Sequence, residues 1–468
     1  MNRNLLLLPT AIIFLLGGCA LTPEYKRPES PVPSDWPTGA AYSEQKLDES
    51  SPLVSELSWR EFITDTHLQE IIGMALDNNR DLRLAALNVE RARALYGIRR
   101  AELLPTVEAT GRESKQRIPA DLSSSGKSMT TERYDVNLGV SSWEIDFFGR
   151  IRSLKDRALE EYLAEDQARR TAQILLISAV ANTYLTLAAD RESLKLVEST
   201  LKTQEDYYQI IRKRYDVGIA SELDLRRAQS QVDAAKVDVS HYTQMVAQDE
   251  NALNLLVSVP IPPTLLPGNL AHAGSLKEIN RGTPSELLLH RPDILAAEHR
   301  LKAAHANIGA ARAALFPRIS LTTDIGTASA DLSGLFKDGS GTWSFIPQIS
   351  IPIFDARTWL AYDVTKIEKE MSVAQYEKAV QTAFREVADA LAVRGTVDRQ
   401  IEAQQSLVNA FSETYRLANL RYTKGIDSYL SVLDAQRSFY SAQQGLISLQ
   451  LARLANLVTL YKVLGGGV

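Results

Sequence analysis

Two periods alternate along this chain. Apolar residues return every three or four positions over very long stretches, the spacing of one helix face; between these lie short stretches where apolar and polar residues simply alternate, the spacing of a strand. Residues 151 to 217 contain neither Pro nor Gly, and residues 358 to 424 contain only Gly395. Within the first run Leu194, Val197, Leu201, Gln204, Tyr208, Ile211 and Tyr215 step by threes and fours, and within the second Val373, Tyr376, Val380, Ala383, Val387 and Ala390 do the same. Val232, Ala235, Val239, Tyr242 and Val246 continue the spacing on a returning helix. This is the pattern of coiled-coil packing, and at about 1.5 Å per residue each run predicts a helix of roughly 100 Å. A rod that long and thin buries no globular core. The two or three domains that a length of 468 would ordinarily suggest are therefore not expected.

The alternating stretches predict strands. Tyr134, Val136, Leu138 and Val140 face one way, while Arg133, Asp135, Asn137 and Ser141 face the other. Ile319, Leu321, Thr323 and Ile325 oppose Arg318, Ser320, Thr322 and Asp324; Trp343, Phe345, Ile349, Ile351 and Ile353 oppose Ser344, Gln348 and Ser350. Residues 106 to 118 alternate weakly and are assigned as a strand by their duplicate, 318 to 329. The polar linkers PADLSSSGKSMT and ADLSGLFKDGSG read as hairpin loops.

Duplication organises the whole. DLRLAALNVERARALYGIRRAELLP (81 to 105) aligns with DILAAEHRLKAAHANIGAARAALFP (293 to 317) at an offset of 212, Asp146 pairs with Asp355 at 209, and RYDVGIASELDLRRAQ (214 to 229) pairs with RYTKGIDSYLSVLDAQ (421 to 436) at 207. Offsets that drift so little mean two homologous halves. Each half is expected to hold a helix ending at Pro105 or Pro317, a strand hairpin and a long helical hairpin. The expected division is a leader, 1–18; an N-terminal arm, 19–64; a first repeat, 65–257, with strands over about 106–142 and a tip at 218–221; a linker, 258–291; a second repeat, 292–464, with strands over about 318–354 and a tip at 425–428; and a tail, 465–468. The opening helices are expected over about 65–102 and 292–315.

At each tip Gly218 and Gly425 suit the left-handed residue that ends a helix. Ser221 and Ser428 suit the N-cap of the next, and Ser221 with Asp224 makes a capping box. Capping does not require the shared Arg-Tyr pair, nor the Leu and Ala-Gln beyond the cap. The copies differ at one matched position, Arg227 in the first and Asp434 in the second.

Net charge is −5 with no basic stripe, which excludes nucleic acid as a partner. The six His are scattered, and no catalytic or metal-binding constellation stands out; His299 and His305 read as surface or packing residues. The one cysteine, Cys19, rules out an intrachain disulfide. It follows Arg3, an apolar run from Leu5 to Leu16 and the small residues Gly17 and Gly18, a secretory signal too short to span a bilayer as a helix. Leu16-Gly17-Gly18-Cys19 resembles the bacterial lipoprotein box, which implies cleavage before Cys19, acylation of its amine and a diacylglycerol on its sulfur. Ala20 is not the aspartate that retains lipoproteins at the inner membrane, so the outer membrane is the expected address.

With no later run of 18 apolar residues, crossing a membrane falls to the strands. Four strands per chain cannot close a barrel, so several chains would have to pool them; two give eight and three give twelve. The lipobox followed by TPEYKRP, the pair NNRDL and RPDI, WEIDFFGR, the A-x-L-x-P turns, GIDSYLSVLDAQRS and LYKVLGGG together resemble the outer-membrane factor (TolC-like) channels, in the lipoprotein branch serving resistance-nodulation-division (RND) drug pumps. That resemblance covers nearly all of the mature chain. It implies a mixed α and β membrane protein of a Gram-negative outer membrane: a homotrimer whose twelve-stranded transmembrane β-barrel continues into a periplasmic α-helical barrel. It also implies a periplasmic adaptor and an inner-membrane RND pump as partners, a role as passive exit duct for drugs and other toxic compounds, no enzyme activity and no cofactor beyond the lipid. Carried over by residue, Asp434 and Leu430 would ring the periplasmic aperture, Arg421 and Tyr422 would latch it closed, and Gly218, Ile219, Ser221, Gly425, Ile426 and Ser428 would receive the adaptor. A channel for protein secretion or metal efflux, or a lipid-anchored coiled-coil scaffold that never inserts, stand as the alternatives.

Overall fold

The computed structural model describes residues 21–42, 54, 57–273, 276–277 and 290–466. Its elements run α1 (Trp59–Phe62), α2 (Thr66–Asn78), α3 (Arg80–Ala101), β1 (Val107–Ile118), β2 (Met129–Glu144), α4 (Arg150–Asp216), α5 (Glu222–Val257), α6 (Leu270–Ala273), α7 (Pro292–Ala313), β3 (Arg318–Ser329), β4 (Gly341–Ser350), α8 (Ala356–Thr423) and α9 (Tyr429–Val463). The fold is mixed and mostly helical. The chain gathers into two compact units, one holding the N-terminal segment through Glu29 with Asn88–Glu165 and Ala296–Tyr376, the other holding Ser30–Leu87, Asp166–Leu295 and Glu377–Val468.

The first unit carries an antiparallel sheet in the order β1-β2-β3-β4. Its register separates the chemistry of the two faces. One cross-strand row is Ala109, Leu138, Ile325 and Trp343, and the adjacent row on the opposite face is Glu108, Gly139, Asp324 and Ser344. The apolar row is bare, with Leu138 52%, Ile325 66% and Trp343 76% exposed. Among the described residues β1 and β4 each keep one edge without a strand partner. The alternation through Ile353 extrapolates too far: β4 tolerates Pro347 at its free edge but ends at Ser350.

Both long helices leave this sheet through a duplicated aspartate cap. Asp146 accepts from the Ile151 and Arg152 N–H groups at 3.1 and 2.9 Å, and Asp355 accepts from the Arg357 N–H at 3.0 Å. Glu144 anchors the junction between Arg150 and Arg318, at 2.8 and 2.7 Å. In the same unit the segment after Thr22 crosses α7 and α4. Thr22 shares a hydrogen bond with Ser153 at 3.1 Å and lies so close to Gly309 that a Cβ there would sit 2.1 Å from its hydroxyl. Farther along, Tyr25 and Arg27 both donate to the buried Glu298, Arg27 through two nitrogens. Of the two histidines, His299 pairs with Glu160 and His305 meets the edge of Tyr25.

The second unit holds the main hydrophobic core. Ile71 and Ile72 of α2, Ile177, Val180 and Leu187 of α4, Leu253 of α5 and Leu457 of α9 are all buried in it. Phe62 stacks on Tyr461 with centroids 4.4 Å apart, and the Tyr184 hydroxyl donates to Asp65 at 3.1 Å. These contacts explain the one long apolar stretch among the helices, in α4, which is mostly buried against protein. Arg291, from the RPDI stretch, is buried against Asp293 and Glu386 and donates to the Val463 carbonyl at 2.8 Å, tying α7 to the end of α9.

Where a single helix was expected over residues 65 to 102, there are two. Asn79 takes an extended backbone (φ −61°, ψ 131°), donates to the Leu256 carbonyl at 2.8 Å and accepts from the Leu82 N–H at 2.9 Å. The Asn79 side chain thus caps the start of α3 and ties it to the end of α5, while its backbone N–H closes α2 on the Ala75 carbonyl.

Replacing Phe62 by Ala removes a fully buried ring from the core and its stack on Tyr461. The expected loss is about 3–5 kcal/mol, read as a lowered midpoint in thermal or denaturant unfolding; an unchanged midpoint would show that this core does not hold the unit.

Candidate functional site at the paired helix tips

Each long hairpin turns in the same way. Gly218 (φ 75°) and Gly425 (φ 73°) sit in the left-handed region just past α4 and α8. The Ile219 N–H reaches back to the Arg214 carbonyl at 2.8 Å and the Ile426 N–H to the Arg421 carbonyl at 2.9 Å, while the glycine N–H groups bond Tyr215 and Tyr422 at 2.8 and 2.9 Å. This pair of bonds is the Schellman arrangement, which needs a residue without a Cβ penalty at positive φ. The isoleucines that follow are bare, Ile219 72% and Ile426 59% exposed.

The two caps differ. Ser221 accepts from the Asp224 N–H at 3.1 Å and donates to the Asp224 carboxylate at 2.7 Å. Ser428 takes the same extended backbone at the start of α9, but its side chain accepts no cap hydrogen bond.

Arg421 and Tyr422 are adjacent in sequence and engage different partners. Arg421 grips Asp427 in its own turn through two bonds, at 2.6 and 3.0 Å. That hydrogen-bonded pair raises the arginine's pKa and holds the carboxyl below its usual range. Tyr422 instead accepts from Arg214 Nη1 at 2.7 Å, with the guanidinium 5.2 Å from the ring centroid, so the first hairpin holds the second. Arg214 is the duplicate of Arg421. Asp427 stands where the first copy has Ala220, which explains why only the second arginine finds a carboxylate inside its own turn.

Beneath the turns lies a small core of Ile211, Ala228, Tyr429, Val432 and Leu433, lined by Tyr207, Tyr415 and Tyr422. Burial pushes the Tyr415 and Tyr429 hydroxyls above the usual tyrosine range. The sequence pattern signalled none of Arg214, Asp427 or Tyr429 as site residues. The clue was available in the repeated Arg-Tyr pair, whose first copy supplies the donor.

Leu430 and Asp434, one turn apart on α9, are both exposed, while Val432, Leu433, Ala435 and Gln436 are buried. They therefore share a face turned away from the chain's own packing. Among the described residues Asp434 has no ion-pair partner, and its duplicate Arg227 is half-buried on α5. No group of three or more His, Cys, Asp or Glu able to hold a metal occurs among the described residues. Cys19 lies outside them.

Comparison with known proteins places these features in a wider set. The model of one family, described as outer membrane efflux protein, matches residues 71–258 and again 283–466, once for each half of the duplication. A probable efflux pump outer membrane protein, TtgC of Pseudomonas putida, is 50% identical over 468 residues, covering 100% of this chain and 96% of its own. OprJ, an outer membrane protein of Pseudomonas aeruginosa, is 42% identical over 458 residues, covering 97% of this chain and 94% of its own. Among solved structures, the open state of the MtrE outer membrane channel of Neisseria gonorrhoeae superposes with a TM-score of 0.86 at 40% identity, over 96% of this chain and 98% of that one.

The unequal caps generate a local expectation. Ser221→Ala should cost about 1 kcal/mol at the start of α5, whereas Ser428→Ala, which removes no cap bond, should cost clearly less. Amide hydrogen exchange of the first turns of α5 and α9 measures both; equal effects would contradict the difference.

Proposed function

The chain belongs to the outer membrane efflux protein family, and from that premise we propose that three copies assemble into one conduit that is gated at the helix tips. The protein is an outer-membrane channel of an efflux system, with a large periplasmic part; the family has a transport role rather than an enzymatic one. Its assembly, gate, lipid and partners are our reading.

The observation that carries the reading is the open sheet, with its bare apolar face, its polar opposite face and its two unpartnered edges. In lipid every unpaired backbone group costs several kcal/mol, so the edge of β4 needs β1 of another copy. Four strands from each of three copies make a twelve-stranded barrel with an apolar exterior and a polar bore.

The duplication supports the same contact between copies. Within the chain α7 lies on the first turns of α4, with His299 on Glu160 and Arg157 on Asn307. Ile151, Ala158 and Ala310 are buried there, at 3%, 7% and 6% exposure. Their duplicates on α8 and α3, Leu360, Ile367 and Ile98, are 65%, 57% and 59% exposed. The same surface is covered in one half and bare in the other, with Ala158 and Ala310 enlarged to isoleucine, as expected if α3 of one copy packs on α8 of the next.

At the tips Leu430 and Asp434 would line the aperture, three carboxylates around an apolar constriction that repel one another and favour cations. The Arg214–Tyr422 bond supports a latch between hairpins, with Tyr422 as the acceptor; Arg421 contributes by bracing its own turn. The bare Ile219 and Ile426, on turns set by Gly218, Gly425, Ser221 and Ser428, suit the hairpin of a periplasmic adaptor, which would connect the channel to an RND-type pump. Relatives named for antibiotic and toluene efflux support small toxic compounds as cargo. An acyl lipid on Cys19 fits the position of Thr22, which is pinned beside Ser153 near the end of the sheet, since three residues reach at most about 10 Å.

In planar bilayers Asp434→Ala and Tyr422→Phe should each raise basal conductance over that of the unaltered protein. Unchanged conductance from both, in well-folded trimers, would remove the gate assignment. Cys19→Ser should lose the acyl mass in mass spectrometry yet still yield a heat-resistant oligomer; failure to insert would mean that the lipid, not the barrel, provides attachment.

A further inference from the structure

Asp190 on α4 and Asp249 on α5 meet across the first hairpin. Each has an Oδ2 atom shielded from water with no hydrogen-bond donor among the described residues, although the two carboxyls are within hydrogen-bonding reach of each other. Two carboxylate oxygens are both acceptors, so a bond between them requires a proton that neither ionised group carries.

The neighbouring cations are committed elsewhere. On α4, Arg191 is bonded to Glu250 at 2.6 Å and to the Pro267 carbonyl at 2.8 Å, and Lys195 donates to the Gly268 carbonyl at 3.0 Å. Glu192 accepts from the Leu270 N–H, and the segment from Leu266 to Leu270 that packs here carries no charge. On α8 and α9, Arg394 and Arg453 both engage Asp398. Among the described residues, the charge that acts on Asp249 is that of Asp190. Burial, then the hydrogen bond to Asp190, then repulsion from its charge push the Asp249 carboxyl up to about 7.

We propose that Asp190 and Asp249 share one proton and form a pH-operated clasp between α4 and α5. With the proton in place, the pair is a neutral acid donating to a carboxylate, a strong bond between the helices. When the proton leaves, two negative charges face each other in a site that no cation among the described residues relieves, and the hairpin loosens. This device stands apart from the gate at the tips and does not depend on that assignment.

The direction of the effect follows from linkage. An aspartate in the unfolded chain titrates near about 4, and Asp249 in the folded chain near 7, so between these values the folded protein holds the extra proton. Stability is therefore full below the lower value, falls as pH rises through the window and levels off above the upper one.

Thermal unfolding of the full-length protein in detergent, followed from pH 5 to 8.5, tests this. The midpoint of the unaltered protein should fall as pH rises through the window and level off above it. Asp249→Asn and Asp190→Asn each supply a permanent N–H donor, and both should flatten the profile and raise the midpoint at pH 8. Infrared spectra should show a protonated-carboxyl band that fades over the same pH range and is missing from both variants. A flat profile for the unaltered protein would mean that the pair is neutralised by a cation from another copy; an unchanged slope in the Asn variants would place the titration elsewhere. Either result overturns the clasp.

Discussion

Backbone hydrogen bonding sets the terms for this protein. A four-stranded sheet with a bare apolar face is tolerable only in lipid, and in lipid an unpaired strand edge is intolerable. Both conditions bear on β1 to β4, and they are what the proposed assembly answers: lipid on the apolar face and a second copy at the free edges. Other features extend this requirement into the helices. The duplicated aspartate caps launch α4 and α8 from the sheet, and the bare Ile98 of α3 and Leu360 and Ile367 of α8 are the surface that the proposed assembly would cover.

Duplication supplied two equal halves, and function resides in the differences between them. Where the halves agree, at the Schellman turns and the aspartate caps, the shared residues answer to backbone geometry that both hairpins must satisfy. Where they disagree, the substitutions redistribute partners. Ala220 against Asp427 decides which arginine is held inside its own turn. Ile151 and Ala158 against Leu360 and Ile367 decide which helix is covered by its own chain. Arg227 against Asp434 decides which hairpin offers a carboxylate to open water.

Much of this was legible in the sequence, because the signals are local and periodic. Alternation disclosed β2, β3 and β4 directly, and β1 through its duplicate; the near-absence of Pro and Gly disclosed the two longest helices. The turns were legible because Gly and Ser carry the backbone requirement in their own chemistry. What escaped was nonlocal. Asn79 breaks a helix that periodicity would continue, because its partner is a carbonyl on α5. Glu298 looks like any surface helix carboxylate, yet it is buried under Tyr25 and Arg27, more than 270 residues earlier. The Arg214–Tyr422 bond joins two copies of one motif, and an alignment of the copies shows their likeness without showing that they touch.

The two arginines of that motif answer to different surroundings. Arg214 reaches Tyr422 in a partly buried site and bonds a neutral hydroxyl, while Arg421 and Asp427 form an ion pair in open water. Screening by dissolved ions reaches the second and largely spares the first, since surface charges are damped over a distance of about 8–10 Å at ordinary ionic strength. One hairpin turn is thus stiffened by a bond that salt weakens, and the link between hairpins by one that salt barely touches. The osmotic and ionic state of the surrounding compartment then bears on the two copies unequally, though their sequences began as one.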